Sequence, residues 1–216
     1  MVLVEACVTG VSEAVDSVAR GASRLELCRD LSVGGLTPDL DVARAVCRSV
    51  AVPVLVMLRA TPGPFCTTAA QVSEMVRTIE RLRSVGAAGI VAGFLDPTNA
   101  IDQAVLTDLC AAASGLPVTF HRAFDEAADP DAALEVLVEA GVARILTAGG
   151  TGSAWAGRGT LARLVDRAGP RIEIVAGGGV RGAHVRELVA ATGVREVHAR
   201  ASAVEDLCRA LSPLRA

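Results

Sequence analysis

The stretch VTFHRAFD at residues 118 to 125 carries an apolar run into His121, Arg122 and Asp125, three groups that a core does not bury unless they are paired or used. An imidazole, a guanidinium and a carboxylate set so closely can move a proton or hold an anion. Two other stretches pose a similar question. VEAC places Glu5 two residues before Cys7, and LELC places Glu26 two residues before Cys28, so on an extended chain each carboxyl shares a face with a thiol. Arg59 closes a further apolar run, and His198 lies late in another.

What brings such residues together is the order of the elements that carry them. Eight short apolar runs follow one another: VLVEAC, RLELC, VLVMLR, GIVAGF, PVTFHR, ARILTAG, IEIVAG and VREVHA. Longer segments with helical spacing separate them, as in Val72, Met75, Val76, Ile79 and Leu82. Gly21, Gly86, Gly141 and Gly193 each stand just before a run, where a left-handed residue ends a helix at low cost. Continuous apolar strands alternating with helices imply a parallel sheet covered on its faces. Eight units in 216 residues predict an α/β fold, a single-domain (β/α)8 TIM-type barrel over residues 1–216, ahead of an open doubly wound sheet.

In that barrel, chemistry gathers at the C-terminal ends of the strands. Glu5, Glu26, Arg59, His121, Arg122, Asp125 and His198 then converge on one mouth. One reading is acid-base catalysis, with Glu26 or His121 carrying the proton, Arg59 and Arg122 clamping an anion and Asp125 orienting them. Isomerisation, elimination or hydrolysis of a small sugar-like or phosphorylated anion fits that set. Two glycine-rich turns after strands 6 and 7, with Gly149 and Gly150 in one and Gly178 and Gly179 in the other, offer backbone N–H groups to a phosphate. The chain has no lysine, which excludes Schiff-base chemistry. The plain alternative is packing: Glu5 and Arg59 as a salt-bridged layer, His121 bonded to a carbonyl, and Arg122 paired with Asp125 at the rim.

A net charge of -3 and 2% aromatic residues argue against nucleic acid, which needs a concentrated positive surface and stacking platforms. No run of 18 apolar residues and no basic, cleavable leader is present, so a cytoplasmic protein that does not enter membranes is expected. The six cysteines form no C-x-x-C pair and are too sparse for a disulfide framework.

The segments VEACV, RLELC, GGLTP, TFHRAFD and VAGGGV, in this order, resemble the signature segments of CutC-type copper homeostasis proteins over nearly the whole chain. The resemblance implies a cytoplasmic barrel, usually oligomeric, engaged in copper handling, with Cu(I) bound through cysteines at the positions of Cys7 and Cys28. Thiolates suit Cu(I), and strand-end cysteines on adjacent parallel strands start about 4.8 Å apart. Cys66, in the loop after strand 3, is a candidate third ligand. The inert reading, two small buried hydrophobes, stands beside it. The partner is then a copper ion or a small anionic ligand. Relatives carry a second arginine and an acidic residue after strand 3, where this chain reads RATPGPF.

Overall fold

The computed structural model describes residues 2–150 and 152–212. Strands and helices alternate throughout: β1 (Leu3–Val8), α1 (Val11–Ala19), β2 (Arg24–Leu27), α2 (Leu40–Ser49), β3 (Val54–Met57), α3 (Ala69–Ser84), β4 (Gly89–Ala92) and α4 (Gln103–Ala113). The second half repeats the pattern with β5 (Val118–Phe120), α5 (Pro130–Glu139), β6 (Arg144–Thr147), α6 (Arg158–Ala168), β7 (Glu173–Ala176), α7 (Val185–Thr192), β8 (Glu196–Arg200) and α8 (Val204–Leu211). All neighbouring strands are parallel, and β8 closes onto β1 with Glu5 opposite His198, so the sheet is a closed (β/α)8 barrel and not an open doubly wound sheet. Among the described residues no helix is long and apolar enough to cross a membrane.

Local signals account for the helix limits. Thr68 and Gln71 form a reciprocal capping box at the start of α3, and Met75, Ile79 and Leu82 turn its buried stripe inward. The four glycines expected to end helices all adopt positive φ, between 72° at Gly193 and 103° at Gly21. Between sheet and helices lies the main apolar shell, where truncating a fully buried residue such as Leu134 to Ala should cost about 2–5 kcal/mol.

Inside the barrel, strand alternation stacks side chains in layers taken from alternate strands. Arg24, Arg144 and Glu196 make the lowest polar layer, with Glu5 next above: Arg24 pairs with Glu5 and, at 2.5 Å, with Glu196, and Arg144 reaches Glu196 at 3.6 Å. Above them come Glu26 with His198, and then Cys7, Met57 and His121. Glycine makes room where large groups meet. A Cβ at Gly93 would stand 2.4 Å from His121 Nδ1, and one at Gly177 would stand 2.5 Å from Leu146.

Two expectations are corrected here. The packing partner of Glu5 is Arg24, not Arg59, because the barrel's register pairs the first residue of β2 with Glu5 from the layer just below. The PVTFHR run overstates its strand: β5 ends at Phe120, and His121 instead caps a short 3-10 turn, its Nδ1 accepting from Ala123 N–H at 3.1 Å.

Candidate metal and anion centre

The C-terminal strand ends open into a cavity of about 780 Å³. Glu26, Arg59, His121, Arg122, Asp125, Cys7, Gly178 and Gly179 all border it. Cys28 is fully buried, its sulfur 3.9 Å from that of Cys7 and 3.3 Å from Glu26 Oε1. The loop after β2 seals it: Gly35, at φ 90°, lies so close that a Cβ would meet the Cys28 sulfur at 3.1 Å. A tight approach of backbone to thiol thus explains one glycine of the GGLTP motif.

The deep part of the cavity is a cluster of coupled charges. One donor atom each from Cys7, Glu26 and His198 lie within 4.8 Å of one another. His198 Nδ1 bonds Glu5 Oε1 at 2.8 Å, which leaves the other ring nitrogen for the cluster. Burial would raise the Glu5 carboxyl, but His198 and Arg24 together bring it down to about 2. Burial likewise works against charge on His198, yet Glu26, Cys7 and Glu5 hold the imidazolium well above its usual range. The hydrogen bond from Cys28 is the main influence on Cys7; burial opposes it, His198 reinforces it, and the thiol falls to about 5. That same contact, with burial, pushes Cys28 well above 9. The contact between them thus favours the thiolate on Cys7 and the thiol on Cys28. Burial drives Glu26 up to about 8, so it stays mostly protonated at neutral pH. Its Oε2 is buried and meets no partner among the described residues.

The rim is organised differently. Asp125 accepts from Arg122 Nε at 2.7 Å, from Ala148 N–H at 3.0 Å, from Gly150 N–H at 3.2 Å and from the Thr147 hydroxyl. The turn at 148–150 is thus filled by the chain's own carboxylate. Gly149 gives its N–H to Thr147 Oγ1, so neither it nor Gly150 is free to hold a phosphate, and neither borders the cavity. Thr151 of the same turn lies outside the described residues. With its oxygens so engaged, Asp125 fixes Arg122 and has no geometry for proton transfer. Arg59 ties two loops together, donating to Val33 O at 3.0 Å and Gly63 O at 2.9 Å, and lies 4.9 Å over the Phe65 ring. Cys66 is exposed and borders a separate small pocket, away from the other two thiols. Cys47, Cys110 and Cys208 are half-buried on α2, α4 and α8.

The CutC family model matches residues 2–203. The chain belongs to the CutC family. It is 39% identical over 204 residues to a human protein named copper homeostasis protein cutC homolog, covering 94% of this chain and 75% of that one. A CutC family protein of Caulobacter vibrioides is 43% identical over 188 residues, with 87% and 76% covered. The crystal structure of CutC from Streptococcus agalactiae superposes with a TM-score of 0.86 at 31% identity, over 92% of this chain and 98% of that one.

In this CutC family member, reading the strand ends located the mouth but gave His198 no role of its own, and passed over Arg24 and Arg181. His198 was within reach of the sequence. Once a barrel is drawn closed, β8 must flank β1, and inward alternation from Glu196 puts His198 beside Glu5. Arg181 sits past the AGGGV turn in a loop, where no periodicity marks which side chains turn inward.

Proposed function

We propose that this protein binds Cu(I) through Cys7 and Cys28, with His198 as the third donor and Glu26 beside it, as its part in copper homeostasis. The observation that carries this reading is the Cys7 sulfur at the base of an open cavity beside an imidazole and a carboxyl, with the buried, reduced Cys28 sulfur 3.9 Å behind it. Metal–thiolate bonds are about 2.3 Å long in zinc sites, so sulfurs at this spacing would grip one ion at a bent angle and leave room for a third donor. A soft sulfur pair selects Cu(I) over harder cations. Glu5, holding the far nitrogen of His198, supplies the carboxylate–histidine arrangement that orients metal-binding imidazoles. Family membership also supports cytoplasmic residence and self-assembly.

The test is titration of anaerobic protein with Cu(I) against a chromophoric Cu(I) chelator. Wild type should take up one ion per chain, and Cys7→Ser with Cys28→Ser together should abolish that uptake. Unchanged affinity in the double variant would contradict the assignment. Divalent copper is the wrong probe, because surface imidazoles and carboxylates bind it as well.

A further inference from the structure

We propose that the cavity wall opposite the thiols is a second site, which binds a small phosphorylated molecule independently of any metal. His121 is only 4% exposed, and its Nδ1 accepts from Ala123 N–H at 3.1 Å. The ring proton must then sit on Nε2, a buried atom with no partner among the described residues, on a side chain that lines the cavity. Burial, reinforced by the charge of Arg59, lowers His121 to about 3, so the ring stays a neutral donor across the physiological range. A buried N–H with no acceptor is costly unless a ligand oxygen supplies one.

Beside it lie the parts of an oxyanion cradle. Gly178 and Gly179 have φ of 90° and 74°. Their successive N–H groups meet no acceptor among the described residues. Thr147 and Asp125 occupy the neighbouring turn and leave this one as the open turn of the two. Arg122 is held by Asp125 so that its guanidinium lies against Gly178, its Cζ 3.4 Å from where a Cβ would stand. A Cβ there would also press on Ala148 Cβ at 3.0 Å. Arg181 borders the same cavity and spends one nitrogen on Val180 O at 2.8 Å. Two adjacent amides and two guanidinium groups supply more donors than the two oxygens of a carboxylate take up in their plane, and they match a phosphate monoester. The loop after strand 7 is also where barrels of this class commonly hold phosphate. The ligand would place its phosphate on Gly178, Gly179, Arg122 and Arg181, and a hydroxyl or carbonyl oxygen on His121 Nε2–H.

Metal-free protein would be titrated calorimetrically with inorganic phosphate, glycerol 1-phosphate and glycerol, and its thermal transition followed with each. Both anions should bind and raise the transition temperature, the ester more strongly, while glycerol does nothing. Arg122→Gln and Arg181→Gln should each weaken both anions by about tenfold or more, the size of one charged hydrogen bond. Arg181→Gln leaves the Asp125 network intact, so it reads the site even where Arg122→Gln disturbs the turn. His121→Gln should bring the ester down to the level of inorganic phosphate. No binding of either anion by wild type, unchanged affinity in Arg181→Gln, or an ester bound no better than inorganic phosphate would overturn the proposal. Because no probe carries a thiol or imidazole, failure here leaves the copper reading standing, and failure of the copper titration leaves this one standing.

Discussion

At the lower end of the barrel Arg24 bonds Glu5 and Glu196 together, Arg144 adds a longer ion pair to Glu196, and among the fully buried polar atoms of these four described residues one nitrogen of Arg144 lacks a partner. One layer higher, Glu26 is as deeply buried, yet one of its oxygens has no hydrogen-bond partner among the described residues, and the neighbouring sulfurs lie 3.9 Å apart. Both clusters are polar and point inward. The lower one pairs its charges and plugs the barrel, whereas the upper one leaves donor atoms unspent facing a cavity. Burial alone therefore does not separate structure from site. What separates them is whether the polar atoms have already found partners.

Removing one member of the plug should have the largest effect on stability. Arg24→Leu removes the cation that Glu5 and Glu196 share and leaves them only His198 and the more distant Arg144, so unfolding in urea should show a loss of about 3–5 kcal/mol. A loss under 1 kcal/mol would mean that the plug is not the paired structure described. Glu5 belongs to both clusters and sharpens the contrast. Glu5→Gln should lower stability and also cost about 10–100-fold in Cu(I) affinity, because His198 loses the group that orients it. Stability falling with affinity unchanged would sever the link between the regions.

The sequence made the barrel legible because buried parallel strands are continuous apolar runs, and several helices between them close with glycines of positive φ such as Gly86 and Gly141. It also located the mouth, since residues ending strands must meet there. Heights within the barrel were not legible. Arg24 starts its strand and Arg59 follows one, yet only the stagger of a closed sheet decides which of them meets Glu5. The fate of loop donors was hidden for a similar reason. AGGTG and AGGGV look alike, and only the fold shows that Asp125 reaches across to fill the first and leaves the second open.

A smaller effect separates the clusters by pH. The Glu26 carboxyl rises from 4.5 to about 8 in the folded chain, so the stability it contributes is complete below 4.5 and is lost as pH climbs through about 8. Glu5 moves the other way, from 4.5 down to about 2, so its contribution is present above 4.5 and is lost only as pH falls through about 2. Glu26→Gln should leave stability near pH 5 almost unchanged and flatten the decline toward pH 8.5. An identical pH profile in variant and wild type would contradict a neutral, unpartnered Glu26.

X-ray absorption at the copper edge of anaerobic protein loaded with one equivalent of Cu(I) tests the central claim most directly. The account predicts two sulfur scatterers with one lighter nitrogen or oxygen neighbour, and loss of the sulfur shell in Cys7→Ser with Cys28→Ser. A first shell made only of nitrogen and oxygen in the wild type would contradict it.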